Sequence, residues 1–241
     1  MYNKFKDFQL LLFGLILVSG ILVGTKILTD KISQSGITVT GSAYEIVTSD
    51  SATLRLNVNT KDANKLNAYT QLKNNLPIVK KYLLDYGIKE ENILIEPPSN
   101  YSTNKYTPNG SMTNEIAFYN FNQTIKVKSN DVQKIKSLSI DVQSLLEKGI
   151  NINTNTPEYN YSKLSDLKIE LLGRATKDAK MRATEMLKAT NNKVGKIKSL
   201  KMGVLQITAP DSNEVSNWGI NDTSTIEKKV TAVSNVVFEV K

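Results

Sequence analysis

Residues Phe8–Thr25, FQLLLFGLILVSGILVGT, run eighteen positions without a charge. As a helix this run rises about 27 Å, close to the ~30 Å hydrocarbon core of a bilayer. It is apolar on every side, which argues against a helix lying on a soluble core. Lys4 and Lys6 precede it, the layout of a secretion signal or signal anchor. No Ala-x-Ala-like cleavage site follows, and a chain without cysteine cannot carry a lipoprotein anchor. The expectation is an uncleaved anchor, with cleavage at a poor site as the alternative. Residues 1–29 then form a cytoplasmic stub and transmembrane signal anchor, 30–36 a linker, and 37–241 an extracytoplasmic domain. Lys4 and Lys6 before the run nearly balance Lys26 and Lys31 after it. Orientation therefore rests on the free α-amino group, which tips the short amino-terminal end towards the cytoplasm.

The formal net charge is +8. Residues 1–31 carry Lys4, Lys6, Lys26 and Lys31 against Asp7 and Asp30, a net +2, which leaves +6 for the exported part. Such a surface suits anionic headgroups or anionic wall polymers, or serves only solubility. Nucleic acid is not expected, because the lysines form no tight cluster with interleaved aromatics. The absence of both histidine and cysteine excludes Ser-His-Asp and Cys-His relays, the usual zinc sites, and haem or iron–sulfur ligation. No cofactor is expected.

Along the exported part, Ile37–Ile46 alternates as a strand. After a turn at Ser49-Asp50, Ala52, Leu54, Leu56 and Val58 alternate with Thr53, Arg55 and Asn57. The pattern reads as a half-buried antiparallel pair. Asp62 is a candidate N-cap for a helix with the stripe Ala63, Leu66, Tyr69, Leu72, Leu76, Val79 and Leu83, which Pro77 should kink or split. Gly87-Ile88 suits a Schellman stop. Ile93–Ile95 starts a strand that Pro97-Pro98 ends or pushes to a sheet edge. Tyr101–Tyr106 and Asn114–Lys128 flank Pro108-Asn109-Gly110, a hairpin signal. A second helix, Asp131–Lys148, stops on Gly149-Ile150 as the first does on Gly87-Ile88, either by duplication or because two capped helices look alike. Ser162–Asn191 is the longest helix, with Leu164, Leu167, Leu171, Ala175, Ala179, Ala183, Met186 and Leu187 on one stripe. Alanines at four-residue spacing allow a backbone or sheet to approach closely. Val194–Ile207 and Val230–Val240 read as strands around a polar loop, Pro210–Ser224.

Taken in order, Ile-x-Val-x-Gly in the first exported strand, Asp50-x-Ala52-x-Leu54, the two helix stops, the aromatic hairpin and Ala175-x-x-x-Ala179-x-x-x-Ala183 form one pattern. Lys193-Val194-Gly195-Lys196-Ile197 and the alternating last strand complete it. Over residues 37–241 the chain resembles the SIMPL-domain family of exported bacterial envelope proteins. Its relatives include periplasmic proteins linked to oxidative stress and an immunogenic antigen that assembles into a ring. The resemblance implies a non-enzymatic protein that self-associates and supports stress tolerance, with no catalytic residues to transfer. Ser49 stands where the family commonly has a proline, Phe118-Tyr119 where it has Gly-Tyr, and Asn191-Asn192 where its helix ends on a small residue and glycine.

Two Ser-x-x-Lys matches, Ser102 to Lys105 and Ser165 to Lys168, lack the Lys-Thr-Gly companion of penicillin-recognising enzymes and are expected by chance. Glu90-Glu91 reads as a solvated turn. The candidate contact residues are the hairpin aromatics Tyr101, Tyr106, Phe118 and Tyr119, together with Trp218, the lone tryptophan. Phe121 belongs to the same group. For the hairpin the choice lies between an oligomer surface and a local aromatic cover; for Trp218 it lies between packing over the sheet and anchoring a partner. The expected fold is α+β: mainly antiparallel sheet with three packed helices, preceded by one transmembrane helix. The expected function is a membrane-anchored, homo-oligomeric, non-enzymatic envelope protein. The alternative is a binding module for an anionic cell-wall polymer or glycan.

Overall fold

The computed structural model describes residues 13–26 and 36–241. Residues 13–26 form a helix, and among the described residues no helix is long and apolar enough to cross a membrane. The expected span, Phe8–Thr25, begins outside the described residues, as does most of the 30–36 linker. The remainder is α+β with mostly antiparallel sheets. It divides into two compact units. One holds the described residues up to Ala43, Glu170–Gly203 and Ala232–Lys241; the other holds Tyr44–Ile169 and Val204–Thr231.

The larger unit is built on β2 (Ser51–Asp62). Its odd and even positions separate as the sequence alternation requires: Ala52, Leu54, Leu56 and Val58 are buried, while Thr53, Arg55 and Asn57 stay half-exposed. β2 pairs antiparallel with β5 (Met112–Ser129) from Ala52↔Ser129 to Asp62↔Tyr119. On its other edge it meets β6 (Asn151–Thr154) and β7 (Glu158–Asn160). β3 (Ile93–Ile95) and β4 (Ser99–Tyr106) both pair with β5. Among the described residues β3 has no second partner, which is the edge position expected beside Pro97-Pro98.

The expected pairing of the first two strands does not form. β1 (Gly36–Thr48) joins the other sheet, in the order β1-β11-β9-β10 with β8 also on β11. Here β8 is Val194–Met202, β9 Gln206–Thr208, β10 Ile220–Asn221 and β11 Glu227–Val240. The link between β1 and β2 is drawn off by other partners. Ser49 N donates to Ile226 O at 2.9 Å and Asp50 N to Asn160 O at 3.0 Å, so no hairpin turn closes there.

Helix α1 (Lys65–Asp85) is capped by Asn64, whose side chain accepts from Leu66 N and Asn67 N. Asp62 accepts from Asn64 N at 2.7 Å and shapes the turn before the cap. The buried stripe is Ala68, Leu72, Val79 and Leu83, while Leu66 lies exposed. Pro77 sits inside an unbroken helix. Pro77 and Lys73 are both exposed, so the carbonyl that Pro77 leaves unpaired belongs to a solvent-facing residue. Helix α2 (Val132–Asp141), capped by Asp131, continues as a tighter 3-10 segment, Val142–Lys148. Gly87 and Gly149 both take positive φ. Ile88 N reaches Leu83 O at 3.0 Å and Ile150 N reaches Leu145 O at 3.1 Å, so both stops are Schellman motifs. Both isoleucines fold back into the core.

In the smaller unit, helix α3 (Leu164–Lys188) contributes its part from Glu170 onward. Ala175, Ala179 and Ala183 are fully buried. The backbone of β1 comes so close that a Cβ on Gly41 would lie 2.2 Å from Ala175 O and 2.3 Å from Ala179 N. Ser42 N donates to Asp178 Oδ2 at 2.8 Å beside this contact. Val39, Val236 and Phe238 complete the small core. Met186, expected on the stripe, is exposed. Asn191 takes positive φ and Asn192 N bonds Leu187 O at 3.0 Å, so the helix leaves through an asparagine where glycine would be usual.

Candidate interaction surfaces

β4 and β5 close through Thr107–Ser111, where Thr107 N donates to Ser111 O at 2.9 Å and Gly110 has positive φ. β2 ends at Asp62 opposite Tyr119. The outer part of the hairpin therefore continues as a two-stranded ribbon with no third strand beside it among the described residues. The ribbon holds large side chains in solvent: Tyr106 is 64% exposed, Met112 67% and Ile116 41%. Tyr101, 63% exposed, lies opposite Asn120, and Phe118 lies on that same face opposite Thr103. Lys61 Nζ stands 3.9 Å from the centre of the Phe118 ring, a cation–π contact. Tyr119 and Phe121 point the other way. Tyr119 packs on the core, and Phe121 is buried with its ring 5.6 Å from that of Tyr69. The expected aromatic group is thus split by strand parity. Met112 and Ile116, not singled out from the sequence, belong with its exposed half.

Trp218 lies in the loop between β9 and β10, and its side chain is 94% exposed, so it does not fold back over the sheet. The loop beneath it is pinned. Buried Gln206 donates from Nε2 to Ser216 O at 2.7 Å and accepts from Ser216 N at 3.4 Å. Lys229 Nζ donates to Ser212 O at 2.5 Å, and Trp218 N to Ser216 Oγ at 3.2 Å. Gly219 then turns with positive φ; a Cβ there would meet Val204 Cγ1 at 2.7 Å. Val215 is exposed on the same loop. Tyr44, Ile46, Pro210 and Val215 border a groove of about 420 Å³.

The larger cleft, about 610 Å³, is lined by Gly87, Lys89, Glu91, Lys128, Asp131 and Lys134 among others. Its polar groups serve the helix ends: Asp131 Oδ1 accepts from Lys134 N, and Lys134 Nζ leans on Gly87 O at 3.4 Å. Among the described residues no acidic cluster could hold a metal ion. Charged groups of the Ser102 to Lys105 match and of Glu90-Glu91 are engaged in ion pairs. Lys105 Nζ bridges to Glu115 at 3.0 Å and Glu90 to Lys80 at 2.6 Å; the Lys80 ammonium holds the Glu90 carboxyl below its ordinary range.

Two aspartates tie loops. Asp50 accepts from Ser162 N at 2.9 Å and from Ser162 Oγ at 2.6 Å, and the hydroxyl bond chiefly lowers its pKa below the ordinary 3.8. Burial pushes Asp222 upward, but bonds from Thr225 Oγ1, Ser224 Oγ and Ser224 N, with Lys228 nearby, outweigh it, so its pKa also lies below 3.8. Depressed carboxyl values stabilise the fold above the unfolded pKa, and that contribution is lost as pH falls through the folded value. Asp50→Asn should cost at most about 1 kcal/mol at neutral pH. Its urea midpoint should fall less than the wild type's as the pH drops below 3.8; an unchanged slope would show that Asp50 does not govern that limb. Next to it, Ser49 is buried and its hydroxyl has no hydrogen-bond partner among the described residues. Ser49→Ala should raise stability by about 1 kcal/mol while keeping the N–H that Ile226 accepts. A loss of stability in thermal melts would reveal a bond to that hydroxyl.

Comparison with protein-family models matches residues 37–238 to SIMPL, described as a protein of unknown function (DUF541). A search of curated proteins returned no significant match.

Proposed function

The chain belongs to the SIMPL family, and from that premise we propose a non-enzymatic, self-associating envelope protein. In this reading Phe8–Thr25 holds it in the cell membrane and residues 37–241 lie outside the cytoplasm. The observation that carries self-association is the hairpin ribbon. Tyr106, Met112 and Ile116 are exposed on the outer part of the two strands, where among the described residues neither has a neighbour but the other. Exposed apolar side chains on strands with unpaired edges are costly to leave in water and suit pairing with a second chain. Light scattering on the full chain in neutral detergent should give a defined oligomer, and Met112→Lys with Ile116→Lys should return it to monomer. A wild-type monomer at high concentration would end this reading.

A binding module is the second reading, favoured by Trp218. The loop is already held by Gln206 and Lys229, so its backbone has little freedom left to lose on binding, and a partner that covers the exposed indole meets a pre-organised contact. The +6 charge of the exported part selects anionic partners. Trp218 fluorescence titrated with anionic wall polymer tests this reading; an unchanged spectrum counts against Trp218 as the contact.

A further inference from the structure

We propose that the outer face of the β4-β5-β2-β6 sheet binds an anionic polysaccharide through a ladder of asparagine amides. The proposal rests on the binding reading and adds a site to it. Strand register sets Ser99, Asn122, Asn59 and Asn151 side by side in one row. Thr124, Asn57 and Asn153 form the next, and Asn120 stands between Tyr101 and Lys61 in a third. Asparagine is a poor strand former. Six of them on one face of one sheet are not what strand stability alone would select.

The ladder is held rigid from within. Asn122 Nδ2 donates to Asn59 Oδ1 at 2.7 Å, Thr124 Oγ1 to Asn57 Oδ1 at 2.9 Å, and Asn57 Nδ2 to Asn155 Oδ1 at 3.0 Å. Asn59 Nδ2 donates to Asn57 O at 3.2 Å, and Asn120 Nδ2 to Thr103 Oγ1 at 2.8 Å. Each amide has two hydrogens and two lone pairs, so these bonds orient the groups and leave valences over. Asn151 and Asn153 are exposed and have no side-chain partner among the described residues. A flat array offering donors and acceptors together matches the hydroxyls of a sugar chain. Within a row the groups step about 4.8 Å from strand to strand, close to the length of one pyranose unit.

Charge selects the anionic class. Arg55, Lys61, Lys126 and Lys128 share this face by register. Of the carboxylates, Glu158 is bridged to Arg55 at 2.7 Å, and Glu96 stands at the edge just beyond β3. Cations therefore outnumber acids around the amides, and exposed Tyr101 can stack on a sugar ring at one end.

The test is affinity electrophoresis of the full chain in neutral detergent through gels containing polygalacturonate, dextran or polyphosphate. Polygalacturonate should retard it most, and Asn151→Ala with Asn153→Ala should weaken that retardation about tenfold without changing the melting temperature. Retardation lost in Trp218→Ala but untouched by the asparagine pair would overturn the face and leave the binding reading standing. Equal retardation by polyphosphate, indifferent to the asparagine pair, would mean bulk charge attraction and would also overturn it. No retardation by either polysaccharide would remove both the face and the binding reading.

Discussion

Gly41→Ala should unfold the smaller unit or cost it about 3 kcal/mol or more. The added Cβ would lie 2.2 Å from Ala175 O, 2.3 Å from Ala179 N and 2.8 Å from Ala179 Cα. All three are backbone atoms of α3, so no rotamer change relieves the overlap; β1 and the helix would have to part. Separation would break the Ser42 N to Asp178 Oδ2 bond and open the cluster of Val39, Ala179, Ala183, Val236 and Phe238. Gly173→Ala is the matched control. That glycine lies in the same helix with nothing within 4 Å of a built Cβ. Its replacement should stabilise by about 0.5–1 kcal/mol through helix propensity. Urea unfolding of the two variants should therefore move in opposite directions. If Gly41→Ala costs less than Gly173→Ala gains, the close approach is wrong.

That approach was half legible in the sequence. Ala175, Ala179 and Ala183 at four-residue spacing announced a narrow helix face, but nothing local names the strand that fills it. The same limit explains the first two strands. Their alternation was readable and their burial follows it, yet alternation carries no partner identity; Ser49 and Asp50 took Ile226 and Asn160 instead. Helix stops read well because glycine at positive φ is a local requirement, met at Gly87 and Gly149. Helix starts read less well. Asp62 and Asn64 can both cap, and the structure uses Asp62 for the turn before Asn64. Pro77 reads as a break in the sequence because its cost depends on which way Lys73 faces, which only the fold decides. The contact residues divide similarly: parity along β5 sends Phe118 outward and Tyr119 inward, and parity is set by a register that sequence leaves open. The asparagine ladder was invisible for that reason, since its rows draw on strands far apart in the chain.

Leu56→Ala should lower the stability of the larger unit by about 2–5 kcal/mol. Leu56 is fully buried at the middle of β2, opposite Ile125 on one side and Thr154 on the other. Its core is shared with Leu72, Val79 and Leu83 of α1 and with Ile135 and Leu138 of α2. Neighbours anchored in two sheet strands and two helices cannot all collapse into the space left by the lost carbons, so the cavity cost adds to the transfer cost. The adjacent position supplies the contrast. Arg55 faces outward, and its bridge to Glu158 has both side chains about two-fifths exposed, so Arg55→Ala should cost under about 1 kcal/mol. A large effect at Leu56 beside a small one at Arg55 is what period two with a single buried face requires. Comparable losses at both would mean that β2 is covered on its outer face too. In that case the asparagine ladder would lie in an interface, and the mass of the assembled protein would be the quantity to explain.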